Sequence, residues 1–500
     1  MEVDSDADSK FGETTRSFVS WFLALPGATF RSDLITVEDL RNRGAGRGIV
    51  ARQDIAADTP LFSIPRNTII CAATSTLRDR IPAIFDLGDD GAGLSDSGDE
   101  DESNSSSQDS WTLLILILIY EYLRGDASPW KQYLDVLPSS FDTPMFWSPA
   151  ELSELQASAV VAKVGKEDAD RMITSKILSV VRAHEDVFFP CARDRLGDTQ
   201  LLELAHRMGS AIMAYAFDLE KDDENEEVNE EDEWVEDRAG KTMLGMVPMA
   251  DTLNADAEFN AHINHGEDAL TATTLRAIKA GEEILNYYGP LSSAELLRRY
   301  GYVTAKHSRY DVVELPWDLV EMELRERVVG RTAPSDWEKI DQLTRSDEDF
   351  EESIVLERWT EDPDSAGQLS SAAVFTGLPD ELAEQFKVFL KAAKKVANIE
   401  LAVHAMSDKD MRKDLYLQVV LGALQARERE YATSLEDDER LLNEGGLMGR
   451  HEMAVWVRRG EKQLLREAQS WVRREAQELR NKASDGTTTD DGPAAKKRRL

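Results

Sequence analysis

The stretch from Met243 to Val303 constrains the fold of this chain more than any other part of its sequence. It reads MLGMVPMADTLNADAEFNAHINHGEDALTATTLRAIKAGEEILNYYGPLSSAELLRRYGYV. Leu270–Leu275 alternates apolar and polar residues as a half-buried strand does, and Ile278–Ile284 reads as a turn feeding a second strand. Asn286-Tyr287-Tyr288-Gly289 falls where that strand breaks into a loop. Ser292 or Ser293 caps a helix through Arg299, and Gly301 is a natural stop, because glycine enters the left-handed region freely.

The chain around it divides by texture. From about Phe18 to Val303, short β-like runs (Gly48–Ala51, Leu61–Ile64) mix with helical ones (Phe18–Leu25, Leu113–Arg124, Pro149–Ala162, Ile173–Arg182, Leu201–Phe217), with Ser110 a plausible cap for the second of these. After about Pro316 the pattern becomes almost purely helical, with apolar residues three and four apart over Leu382–Ala397, Lys413–Tyr431 and Met453–Arg480. A β-containing front followed by a helical back is an α+β architecture. Four stretches are expected to be disordered: residues 1–17, about 88–109, about 220–240 and 483–500. Each is too polar or acidic to bury the apolar surface that ordering requires.

Composition excludes several classes of function. The formal net charge is -37, which argues against direct nucleic-acid binding by phosphate neutralisation and suits a basic polypeptide partner. The two cysteines, Cys71 and Cys191, form no C-x-x-C pair, so neither a disulfide scaffold nor a cysteine-built zinc site is expected. The longest apolar run, Leu113–Ile119, falls far short of the roughly 20 residues that a bilayer requires, so no membrane association is expected. His262 and His265 lie close together without a third ligand nearby, and no metal site is expected. Lys496-Lys497-Arg498-Arg499 suits a nuclear import signal, so residence in the nucleus is expected, with the cytoplasm as a further compartment.

Gly44-Ala45-Gly46-Arg47-Gly48 follows Arg41-Asn42-Arg43 and precedes a strand-like Ile49-Val50-Ala51. A dinucleotide-type glycine loop needs a strand before and a helix after, so that reading fails. What remains is a turn whose backbone can approach a ligand closely. Together with PMADTLNAD, AGEEILNYYG and RRYGY, this turn resembles the SET-domain lysine methyltransferases. The subgroup is the one that includes the Rubisco large-subunit methyltransferase and fungal ribosomal lysine methyltransferases. Trp130-Lys131-Gln132-Tyr133-Leu134-Asp135-Val136-Leu137-Pro138 resembles the W-x-x-Y-L-x-x-L-P element of that subgroup.

The resemblance implies a β-rich SET domain over residues 18–303 with a helical insertion at about 111–217. A helical substrate-binding domain follows over 316–480. It implies S-adenosylmethionine (AdoMet) as cofactor, held by Gly46, Arg47, Gly48, Tyr215, Asp251, Asn254, Ala255 and Tyr300. Ala255 stands where the family usually has histidine. It further implies Tyr288 as the catalytic tyrosine, Trp130, Tyr215 and Phe217 as substrate contacts, and a large-subunit ribosomal protein as substrate. A catalytically weak SET-fold binding protein, or an acidic escort for basic proteins using Glu220–Asp237, is the alternative reading.

Overall fold

The computed structural model describes residues 2–85, 105–219, 243–329 and 333–485. Most of the two acidic runs, the end of the chain and its basic Lys496–Arg499 lie outside the described residues. Helix α1 (Glu2–Ala24) opens the chain. It is followed by strands β1 (Thr29–Phe30), β2 (Ile35–Asp39), β3 (Arg47–Ala51) and β4 (Pro60–Pro65), then β5 (Ala216–Leu219) and β6 (Met243–Met246). The remaining strands are β7 (Asn254–Ala255), β8 (Ala261–His265), β9 (Ala269–Thr274), β10 (Glu283–Asn286), β11 (Val313–Pro316) and β12 (Ser353–Leu356).

Two four-stranded sheets carry the front half, ordered β1-β4-β9-β8 and β2-β3-β10-β7. The first is antiparallel throughout, and its β9 shows the expected alternation, with Leu270 and Ala272 buried. The second sheet positions the site. Strand β10 pairs antiparallel with β3, Ile284 opposite Ile49, and parallel with β7, Leu285 opposite Asn254 and Asn286 opposite Ala255. One short strand therefore carries the glycine turn on one side and the D-x-x-N segment on the other, although about 200 residues separate them in sequence.

Behind the sheets lies one continuous apolar core. The Ser105–Leu123 helix contributes Leu114 to Ile119, all buried, and each such side chain contributes roughly 1.5–3 kcal/mol. The Asp198–Tyr215 helix crosses it at Gly209, where a Cβ would lie 3.1 Å from the Trp111 ring. A second core fills the back half, built from the helices Trp317–Leu324, Asp380–Ala397, Lys409–Arg429 and Gly449–Asp485.

Several expectations need correction. Residues 2–17 are helical rather than a disordered tail. Thr14 and Thr15 donate back to carbonyls of their own helix, and both accept from the Arg47 guanidinium while Phe11 lies under it. The helix expected over Leu113–Arg124 begins already at Ser105 and ends at Leu123, so Ser110 is internal to it. Residues 149–162 are not one helix: a capped turn of helix, Pro149–Ser153, is followed after a gap by a 3-10 turn, Ala159–Val161. The break comes at Gln156, whose φ of 53° leaves the helical region. The 198–215 helix stops before Phe217, because Ala216 turns extended and enters the β5–β6 hairpin. The back half is not purely helical either, since β12 pairs with β11 over four residues.

Candidate active site

Gly48 lies where three elements meet. A Cβ there would fall 2.3 Å from Leu40 Cδ1, 2.7 Å from Glu283 Oε1 and 2.9 Å from Asn254 Nδ2. The space it vacates holds a polar bridge: Asn254 Nδ2 donates to Glu283 Oε1 (2.7 Å) and to the Arg47 carbonyl (3.1 Å). Burial pushes the Glu283 carboxyl pKa up, and the Asn254 bond opposes that rise. Both donations use the amide nitrogen of Asn254, so its Oδ1 is the atom left to accept from a ligand amine. Gly46 faces open space, with nothing within 4 Å of a Cβ placed there. An accepting amide oxygen beside an open backbone turn fits the amino-acid portion of AdoMet, and Gly46, Gly48 and Asn254 would hold it.

Past β10 the chain breaks into Tyr287-Tyr288-Gly289, with Gly289 at φ 95°. The Tyr288 ring stacks on Tyr300 (centroids 4.7 Å apart, 20° between planes), and Tyr302 meets Tyr300 edge-on at 6.1 Å. The Tyr288 hydroxyl donates to the Leu253 carbonyl at 3.0 Å, and the Tyr302 hydroxyl to the Ala255 carbonyl at 3.3 Å. Tyr215, at the end of its helix, packs against Phe141 at 6.4 Å. These four tyrosines are half-buried, recessed yet still reachable from solvent. Burial pushes the Tyr288 hydroxyl well above the usual phenol range, and it raises Tyr215, Tyr300 and Tyr302 in the same direction. At neutral pH all four are therefore neutral hydroxyls. Such a recess disfavours an ammonium ion by desolvation and so favours the neutral amine.

The D-x-x-N segment enters through a strained turn. Met249 is fully buried at φ 82°, ψ -38°, a region that costs a non-glycine residue roughly 1–3 kcal/mol. Asp251 follows in a 3-10 turn and accepts from the Tyr133 hydroxyl at 2.5 Å. Burial pushes its carboxyl up to about 7, against the lowering effect of the Tyr133 bond.

Some sequence-derived roles do not survive. Trp130 is 5% exposed and its indole N–H donates to the Thr68 carbonyl at 2.8 Å. It is a core residue and not a substrate contact. Arg47 presents its backbone carbonyl to the site, while its guanidinium is spent on Thr14, Thr15 and the Val136 carbonyl. Nothing in the structure contradicts the substrate role expected of Phe217, which is half-buried in the β5–β6 pair opposite Gly245. Ala255 supplies backbone only, through Tyr302 and through its pairing with Asn286. Sequence reasoning missed Glu283, Tyr133 and Tyr302. A carboxylate placed in a strand next to a partner strand carrying glycine was the available signal for Glu283. Among the described residues, no group of three His, Cys, Asp or Glu side chains could hold a metal ion, and no helix is long and apolar enough to cross a membrane.

The two sheets, the tyrosine recess and the appended helical domain define a SET-type architecture. The SET domain model matches residues 46–289, and the Rubisco LSMT substrate-binding model matches residues 348–465. The chain belongs to the SET-domain protein-lysine methyltransferases that carry this second domain, and AdoMet is their methyl donor. Ribosomal lysine N-methyltransferase 4 of Saccharomyces cerevisiae is 32% identical over 324 residues, which is 63% of this chain and 60% of the yeast enzyme. N-lysine methyltransferase SETD6 of Mus musculus is 26% identical over 450 residues, covering 84% of this chain and 83% of the mouse enzyme. The solved structure of Rubisco LSMT bound to AdoMet shares the fold, with a TM-score of 0.57 at 19% identity over 96% of this chain and 97% of that one. The SET domain of LSMT bound to lysine and AdoHcy gives a TM-score of 0.59 at 19% identity over the same shares.

Proposed function

We propose that this chain methylates a lysine of a basic protein, and that the acceptor is a protein of the large ribosomal subunit. The observation that carries the reading is the Tyr288–Tyr300 stack, whose Tyr288 hydroxyl rests on the Leu253 carbonyl, next in sequence to the Asn254–Glu283–Gly48 cradle. AdoMet supplies an electrophilic methyl group on a sulfonium. The recess formed by Tyr215, Tyr288, Tyr300 and Tyr302 strips water from the incoming ammonium and lowers its pKa from the ordinary value of about 10.4. The proton leaves to solvent before transfer. Tyr288, held neutral, would orient the amine nitrogen and offer its hydroxyl oxygen to the methyl C–H groups as a weak acceptor. Alignment of the two reacting atoms could account for ~7–11 kcal/mol of the barrier.

The ribosomal part of the reading rests on the name of the yeast relative and on the charge of -37, which draws basic polypeptides toward the protein. Incubating the full chain with labelled AdoMet and separated ribosomal subunits tests it. Label on lysine of a large-subunit protein is expected, and label only on small-subunit or non-ribosomal proteins would overturn the choice of substrate. Residence in the nucleus, directed by Lys496–Arg499, belongs to the same reading. Exclusion of a fluorescent fusion from the nucleus would sink it.

One feature favours a second reading, a SET-fold binding protein with weak catalysis: Ala255 lacks the side chain that the family usually offers the cofactor. Calorimetry separates the two. AdoMet binding at micromolar concentration supports the enzyme, and no binding supports the scaffold.

A further inference from the structure

The W-x-x-Y-L-x-x-L-P element touches both halves of the site without belonging to either. Its Val136 carbonyl accepts from Arg47 on β3, the Trp130 indole is tied to Thr68 after β4, and the Tyr133 hydroxyl reaches Asp251. Tyr133 is fully buried, with Phe18 of α1 at 6.0 Å between ring centroids, so it has little freedom to follow a moving partner. Asp251 stands two residues after the strained Met249. Its own turn ends at the Leu253 carbonyl that holds the Tyr288 hydroxyl, and the next residue is Asn254. A turn under strain keeps its shape only when the surroundings over-determine it. Among the described residues, two side-chain hydrogen bonds reach this turn from outside, the Tyr133 hydroxyl on Asp251 and the Tyr288 hydroxyl on the Leu253 carbonyl, and only the first comes from outside the tyrosine recess.

We propose that Tyr133 and Asp251 act as a positioning pair: the Tyr133 hydroxyl pins the Met249–Leu253 turn and thereby aims both the Tyr288 hydroxyl and the Asn254 amide. Asp251, expected among the cofactor contacts, serves the cofactor in this proposal only indirectly: its carboxyl is bonded to Tyr133, and the pair works through Tyr288 and Asn254. The bond ties the Tyr133 hydroxyl to a carboxyl oxygen held away from solvent, and removing either partner leaves the other buried without it. An asparagine at 251 still offers an oxygen to the same hydroxyl, whereas an alanine offers none. The inference rests on the AdoMet-dependent reading above.

The test compares Tyr133→Phe, Asp251→Ala, Asp251→Asn and the double variant Tyr133→Phe/Asp251→Ala, each shown to be folded by circular dichroism. AdoMet affinity is read by calorimetry, and turnover on large-subunit proteins is read with labelled AdoMet. Tyr133→Phe and Asp251→Ala are each expected to weaken AdoMet binding by about tenfold and to lower kcat more than KM for the protein acceptor changes. Asp251→Asn should stay within about threefold of the wild type, and the double variant should be no worse than the worse single one. The pair is overturned if folded Tyr133→Phe binds and turns over like the wild type, if Asp251→Asn is as impaired as Asp251→Ala, or if the two single effects add. Should Tyr133→Phe fail to fold, the contrast between Asp251→Asn and Asp251→Ala decides. A wild type that binds AdoMet yet labels no protein overturns the acceptor reading alone, and calorimetry still decides the pair. A wild type that binds no AdoMet overturns both.

Discussion

Replacing Gly48 with alanine probes the cradle at its narrowest point, because the new methyl group would enter space held by Leu40, Glu283 and Asn254. Overpacking of this kind costs ~1–3 kcal/mol, and here the cheapest relief is to push the Asn254 amide aside. Gly48→Ala should therefore raise the AdoMet Kd by about tenfold or more in calorimetry, while Gly46→Ala, facing open space, changes it by much less. An equal effect at both positions would refute this account of the glycine turn. At this scale the structure brings together residues that chemistry and spacing singled out: Tyr288 stacks on Tyr300 and rests on the Leu253 carbonyl, next in sequence to Asn254. The sequence misled at Trp130 and Arg47, whose polar groups turn out to satisfy neighbouring backbone and threonine oxygens. Tyr133 was illegible as a site residue because its partner lies 118 positions away, whereas Glu283, 29 positions from Asn254, was passed over as an ordinary strand residue.

Helix α1 shows how a element can be fixed by a residue far from it in sequence. Arg47 reaches back to Thr14, Thr15 and the Phe11 ring, so the helix holds well before its apolar face begins at Phe18. Arg47→Ala should loosen α1 by about 2 kcal/mol and speed amide exchange over residues 11–24. AdoMet affinity should stay within about threefold, because only the Arg47 backbone carbonyl serves the site. Unchanged exchange in α1 would contradict the clasp. The helix Ser293–Tyr300 is simpler: Ser292 accepts from the Glu295 N–H and Gly301 closes the end at φ 76°. Ser292→Ala should cost about 1 kcal/mol in denaturant unfolding. Both ends of this helix were legible in the sequence because its caps are local. The Ala216 turn was not, since the extended run after Tyr215 is decided by pairing with β6.

The front and back halves meet through a buried polar network that hydrophobic periodicity could not reveal. Arg427 donates to the Glu314 and Ala157 carbonyls, and Arg458 to Asp438 and to the Glu154 carbonyl. Lys462 pairs with the fully buried Asp438, and Glu461 accepts from Ser158 and Tyr431, each at 2.7 Å. Removing one member of such a buried pair leaves the other uncompensated, so Lys462→Met should cost ~3–5 kcal/mol. Burial raises the Glu461 carboxyl to about 7 and that of Asp311 to about 6. A carboxyl raised in the folded state holds a proton that the unfolded chain has already released, so between about pH 4.5 and 7 stability falls as pH rises. The melting temperature should thus be higher at pH 5.5 than at pH 7.5, and Glu461→Gln should shrink that difference. An undiminished difference would assign the pH dependence to other groups. The broad plan, a mixed front and a helical back, was legible in texture alone; the junction was not, because it is built from charged residues that read as surface. At the scale of the whole molecule the central claim is lysine methylation by the Tyr288 recess. Its most direct test is mass spectrometry of large-subunit ribosomal proteins after reaction with AdoMet and either wild type or a folded Tyr288→Phe variant. Methyl-lysine that appears with the wild type and falls by about a hundredfold with the variant is the result expected. Equal methyl-lysine from both would contradict the account of the Tyr288 recess, and none from the wild type would overturn the large-subunit acceptor.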